Sequence, residues 1–166
     1  MTTDILKGIA LGTLLLLLQV IVLNNIHLFG CATPLLFVYI ILLAPNNAPR
    51  WAVMVVGFLL GLVSDIFATT PGVAAASMTL VAFLQPAYLK LFLSRESPEN
   101  LQPTLHEFGL IKYLSFSFPL VLLFVFMFFT LEEFTFFHWQ QWLLYILGST
   151  MLTYVLILTI ETIRKG

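Results

Sequence analysis

Residues 57–77 read GFLLGLVSDIFATTPGVAAAS, and the organisation of the chain follows from them. Gly57, Gly61 and Asp65 are spaced i, i+4, i+8 within an apolar run, so a helix carries all three on one face. Thr69-Thr70-Pro71-Gly72 then supplies strong turn signals, and a second apolar run opens with Ala74-Ala75-Ala76-Ser77. The expectation is two apolar helices joined by a tight turn. Glycines on the first and small residues on the second let the backbones approach closely. Asp65 then falls near the start of the second helix, where Ser77, Thr69 or Thr70 can donate hydrogen bonds to it. Two readings of Asp65 stand side by side: a polar anchor within the bundle or at a partner interface, or a carboxylate wetted at the outer headgroup region. The glycine spacing is a weak signal by itself, since Gly8 and Gly12 repeat it.

Outward from this hairpin the chain has the same character. Hydrophobic residues make up 60% and charged residues 9% of the 166, against about 45–50% and 25% in soluble domains. A soluble fold of this length has too little interior for that apolar surface, whereas a bilayer removes the need to hide it. About 20 apolar residues are needed for a helix to cross the hydrocarbon core. Six segments approach this length, at 5–23, 28–44, 51–67, 73–93, 110–131 and 139–163. The expected fold class is therefore an all-α integral membrane protein, a six-helix bundle forming a single membrane domain over 1–166. The connectors Asn24-Asn25, Pro45-Asn46-Asn47-Ala48-Pro49, the polar stretch 94–109 and 132–138 leave no room for a soluble catalytic domain.

Orientation follows from the basic residues. With the N-terminus in the cytoplasm, Lys7, Arg50, Lys90, Arg95, Lys112, Arg164 and Lys165 all fall at cytoplasmic ends, as the positive-inside rule requires. Both termini are then cytoplasmic. Trp139, Trp142 and Tyr145 are read as outer-interface aromatics, and Trp51, Tyr88 and Tyr113 as inner ones. Lys7 ahead of a leucine-rich run resembles a signal peptide, and Leu28-Phe29-Gly30-Cys31 faintly resembles a lipoprotein box. Bulky Phe29 and the intervening Asn24, Asn25 and His27 favour a retained first helix. The single cysteine, Cys31, has no partner for an internal disulfide.

Gln19 and Gln85 are intramembrane amides suited to bridging helices or lining a polar pocket. Pro86 and Pro119 remove the hydrogen bonds to the carbonyls of Ala82 and Ser115, so kinks are expected at both. Glu132, Glu133 and His138 read as solvated loop charge, and Glu161 with Lys165 as an ordinary i, i+4 pair at the inner end of the sixth segment. No GxSxG, HExxH, paired intramembrane aspartates or phosphate-binding glycine loop is present. No catalytic, cofactor-binding or metal-binding residue is expected, and no basic run points to nucleic acid.

The pattern from Gly57 to Asp65-Ile-Phe, followed by Pro71-Gly72 and a small-residue helix, resembles the central signature of the bacterial rod shape-determining protein MreD family. Pro34 opening an apolar run that ends Leu-Leu-Ala-Pro at 42–45 is similar too, as are the length and the short loops. The resemblance implies a non-catalytic inner-membrane scaffold of the cell-elongation machinery. Its direct partner would be MreC, a single-span protein, in a wider assembly with the MreB filament, the RodA glycosyltransferase and a class B penicillin-binding protein. It also implies a fold similar to the substrate-binding subunits of energy-coupling-factor transporters. Gly57, Gly61, Asp65, Pro71, Gly72, Ala76 and Ser77 would form the helix-packing or partner face, beside membrane lipids. That fold similarity supplies a rival, a vitamin-like small-molecule-binding transporter subunit, with Asn24, Asn25, His27, Asp65 and Gln19 as polar candidates. A third class is a membrane enzyme acting on lipids.

Overall fold

The computed structural model describes residues 35–68, 70–93, 101–133 and 139–164. The first expected segment, the start of the second with Pro34, and Gln19, Thr69, His138 and Lys165 lie outside them. Every regular element among the described residues is a helix: α1 (Val38–Leu42), α2 (Arg50–Ala68), α3 (Val73–Phe92), α4 (Leu105–Phe108), α5 (Leu110–Glu133) and α6 (Trp139–Arg164).

The boundaries have local causes. Pro49 offers its carbonyl to Ala52 and Val53 at the start of α2. Gly72, at φ 83°, turns the chain through the left-handed region ahead of α3, and Gly109, at φ 73°, does so ahead of α5. α4 sits inside the polar connector, and the Thr104 hydroxyl caps it by accepting from Glu107 N at 3.3 Å. Four of the helices, α2, α3, α5 and α6, are long and apolar enough to cross a membrane. They coincide within two residues with the third to sixth segments expected from sequence. The described part of the second segment is α-helical only over Val38–Leu42.

Neighbouring long helices run antiparallel. The end of α2 meets the start of α3 through Asp65 and Ala74, Tyr88 near the end of α3 reaches Ser115 at the start of α5, and Phe126 of α5 packs edge-on to Trp142 of α6 at 5.4 Å. Arg50, Lys90, Lys112 and Arg164 thereby share one end of the bundle, here called the basic end. Asp65 and Glu132 belong to the other.

α3 and α5 form the centre, with α2 on α3, α6 on α5, and α1 against both central helices. The abundant phenylalanines act at these seams. Phe37 meets Phe124 edge-to-face at 5.3 Å, and Phe92, Phe108 and Tyr88 surround Phe116. Tyr113 points into the bundle: it is fully buried instead of lying at the interface, while Trp51 and Trp139 are exposed.

The outer surface is apolar. Phe58, Leu59, Ile66 and Phe67 of α2 and Leu144, Leu147, Met151 and Val155 of α6 are all more than half exposed, except Phe58 at 46%. So large an apolar surface is foreign to a monomer in water and is consistent with a membrane protein. Hydroxyls on these helices satisfy themselves locally. Thr79, Thr130, Thr159 and Thr162 each donate to the carbonyl four residues back.

The proline breaks are handled differently. At Pro119 the Ser115 carbonyl loses its helical donor, and the Tyr88 hydroxyl of α3 donates to it at 3.3 Å. The proline-bearing turn of α5 is thus tied to a neighbouring helix.

Candidate functional site

The turn between α2 and α3 is where the signature residues meet. α3 begins without a cap of its own, because its N-cap position is Gly72. An N-cap side chain ordinarily accepts from the second or third amide of the helix. Asp65, seven residues upstream on α2, does this from outside. One carboxylate oxygen accepts Ala74 N at 2.8 Å and the Thr70 hydroxyl at 3.0 Å, and the other accepts Ala75 N at 2.9 Å. The carboxylate is 6% exposed. It sits at the positive end of the α3 dipole, where a carboxylate is well placed.

This geometry requires α2 and α3 almost in backbone contact, and Gly61 permits it. A Cβ on Gly61 would lie 2.5 Å from Ala75 Cα and 2.6 Å from Ala75 N. At Gly57, one turn earlier, a Cβ would lie 3.0 Å from the Ala82 methyl and 3.1 Å from the Met78 carbonyl oxygen. The helices therefore diverge slightly from Gly61 toward the basic end. Gly57, Gly61 and Asp65 all face α3.

The remaining signature residues divide between surface and interior. Pro71, Gly72 and Ala76 are exposed. Ser77 is fully buried and donates to Val73 O at 2.8 Å, so among the described residues Thr70 is the hydroxyl that reaches Asp65. Shallow grooves flank the Pro71-Gly72 turn, one bounded by Phe58, Leu62, Ile66 and Ala75, the other by Val73, Ala76 and Leu131. With its oxygens occupied by three donors, Asp65 works as a structural acceptor and not as a poised base.

Gln85 ties α3 to the connector after α1: it is buried, and its Nε2 donates to the carbonyl of Ala44, beyond the end of that helix, at 3.1 Å.

A second polar centre lies at the basic end. Glu161, read from sequence as the i, i+4 partner of Lys165, which lies outside the described residues, is 3% exposed. Oε1 accepts Leu105 N at 2.8 Å and Oε2 accepts the Tyr39 hydroxyl. One carboxylate thus holds α6, α1 and the α4 connector together. The signal for this was in the spacing: Ser149, Thr153, Ile157 and Glu161 recur every fourth residue, and all four are buried. Thr153 is used in the same way, its hydroxyl accepting Leu35 N at 3.0 Å. Beside Glu161 opens a cavity of about 280 Å³ lined by Gln102, Thr104, His106, Glu107, Glu161 and Arg164. Arg164 donates to Gln102 Oε1 across it at 3.3 Å.

No three His, Cys, Asp or Glu residues are grouped to hold a metal ion among the described residues. Among the described residues these features define an all-helical protein with four potential membrane-spanning helices and two buried carboxylates at opposite ends. Comparison with family models, with curated proteins and with solved structures finds no match.

Proposed function

We propose that the protein is a non-catalytic scaffold of the bacterial inner membrane that binds MreC and helps organise peptidoglycan synthesis during cell elongation. In this reading the chain crosses the bilayer six times, with both termini cytoplasmic and a bundle similar to the substrate-binding subunits of energy-coupling-factor transporters. MreB, RodA and a class B penicillin-binding protein complete the assembly.

The observation that carries the reading is how the signature residues are used. Gly57, Gly61 and Asp65 join α2 to α3 and leave a preformed hairpin. The opposite side of α2 presents Leu59, Leu62, Val63 and Ile66 outward. A rigid hairpin with an apolar outer face suits contact with a single-span partner, which in lipid associates through close packing.

The test is co-expression with a tagged MreC, extraction in mild detergent and pull-down. One-to-one co-purification is expected, and it should fall with Leu59→Trp or Ile66→Trp while the protein alone keeps its thermal midpoint. Absence of any complex from well-folded protein overturns the proposal.

A further inference from the structure

The cavity at the basic end has a composition that selects its ligand. Two acidic side chains, Glu107 and Glu161, line it together with the guanidinium of Arg164 and the imidazole of His106. That lining offers charged partners of both signs, and a bare metal ion lacks a set of three grouped donors among the described residues. What fits is a group carrying an amine for the carboxylates and a phosphate for Arg164.

The wall is built in advance. Glu161 is held by Leu105 N and the Tyr39 hydroxyl, from two different elements, so its position does not depend on a ligand. The setting supplies the rest. The cavity lies between the last turn of potential membrane-spanning α6 and the connector leading into α5, at the end that gathers Arg50, Lys90, Lys112 and Arg164. Within four residues of the lining in sequence stand Leu110, Ile111 and Ile163, exposed by 60%, 79% and 73%. Polar lining beside bare apolar side chains is the profile of a headgroup pocket whose lipid tails run along the helices.

We infer that this cavity binds an ethanolamine-phosphate group, presented by a phospholipid of the surrounding leaflet. The amine is placed between Glu107 and Glu161, and the phosphate against Arg164 and His106. The inference stands apart from the partner proposed above and uses none of the α2–α3 hairpin.

The experiment is native mass spectrometry of the full chain, delipidated and then offered phosphatidylethanolamine, phosphatidylglycerol and phosphatidylcholine in equal amounts. Retention of phosphatidylethanolamine about tenfold above the other two is expected, one charge-assisted contact's worth of discrimination. Glu107→Gln should abolish the preference and Arg164→Gln should lower retention of all three lipids, neither changing the thermal midpoint, since both positions are exposed. A parallel titration with O-phosphoethanolamine separates the sources. Binding of this soluble probe without lipid preference, lost in Glu107→Gln, supports the same chemistry with a free ligand. No preference and no probe binding, or a preference that survives Glu107→Gln, overturns the inference.

Discussion

Gly61 and Ala75 stand so close that the missing side chain of one would occupy the backbone of the other, 2.5 Å from its Cα. Contacts of this kind are graded along α2. At Gly57 the nearest atoms are a methyl carbon and a carbonyl oxygen at 3.0 and 3.1 Å, where shifts of a few tenths of an ångström suffice. Gly61→Ala should therefore cost about 1–3 kcal/mol or more, the range of overpacked cores, and Gly57→Ala clearly less. Thermal midpoints of the two purified variants in one detergent check the order. Equal losses would contradict the geometry.

Asp65→Asn replaces one acceptor oxygen with an amide that has hydrogens to donate, facing helix amides that have only hydrogens to offer. A loss of about 1–3 kcal/mol is expected, from an unsatisfied buried donor and the weakened dipole contact. Hydrogen exchange gives the residue-level readout. The amides of Ala74 and Ala75 should lose protection well before those in the middle of α3.

Gly72 has nothing within 4 Å of an added Cβ, so its substitution tests backbone conformation alone. Gly72→Ala should cost about 1–2 kcal/mol for the left-handed geometry, and Gly72→Asn distinctly less. A similar penalty for both would mean that space, and not φ, governs the position.

Glu161 and Tyr39 form one unit, so their substitutions should not add. Tyr39→Phe and Glu161→Gln each weaken the contact, and a double-mutant cycle should return a coupling of about 1.5–3 kcal/mol, as for bonds to charged groups. Glu161→Gln should also loosen the connector, seen as faster exchange of the Leu105 amide. A coupling near zero would make Glu161 a bystander.

Tyr88→Phe removes the donor that serves the carbonyl freed by Pro119. A modest loss of about 0.5–1.5 kcal/mol is expected. In a Pro119→Ala background, where Ser115 regains its helical partner, the same change should cost less.

Much of the architecture was legible because apolar runs bounded by Pro49, Pro71-Gly72 and Gly109 leave few ways to place α2, α3 and α5. The shared face of Gly57, Gly61 and Asp65 was legible for the same reason, since helical period fixes it. What that face meets was not. Whether Asp65 finds water, a partner or a helix end depends on a turn geometry in which Gly72 adopts φ 83°, and periodicity carries no such information. The burial of Glu161 was legible in its four-residue relation to Ile157 and Thr153, which points inward, but its i, i+4 relation to Lys165 says nothing of what the carboxylate holds. Tyr113 was misassigned on residue type alone: an aromatic near a helix end suits an interface, but packing in this bundle turns it into the core.

The two polar seals differ in how far apart in the chain their partners lie. Asp65 and the amides it holds are separated by nine and ten residues, so that hairpin can close while the ribosome is still making α5. Thr153 and Glu161 find Leu35 and Tyr39 across 118 and 122 residues. Until α6 emerges, those early residues lack their acceptors. The last helix to be synthesised therefore completes the first part of the described fold, and a chain truncated before α6 should be recognised by membrane quality control as unfinished.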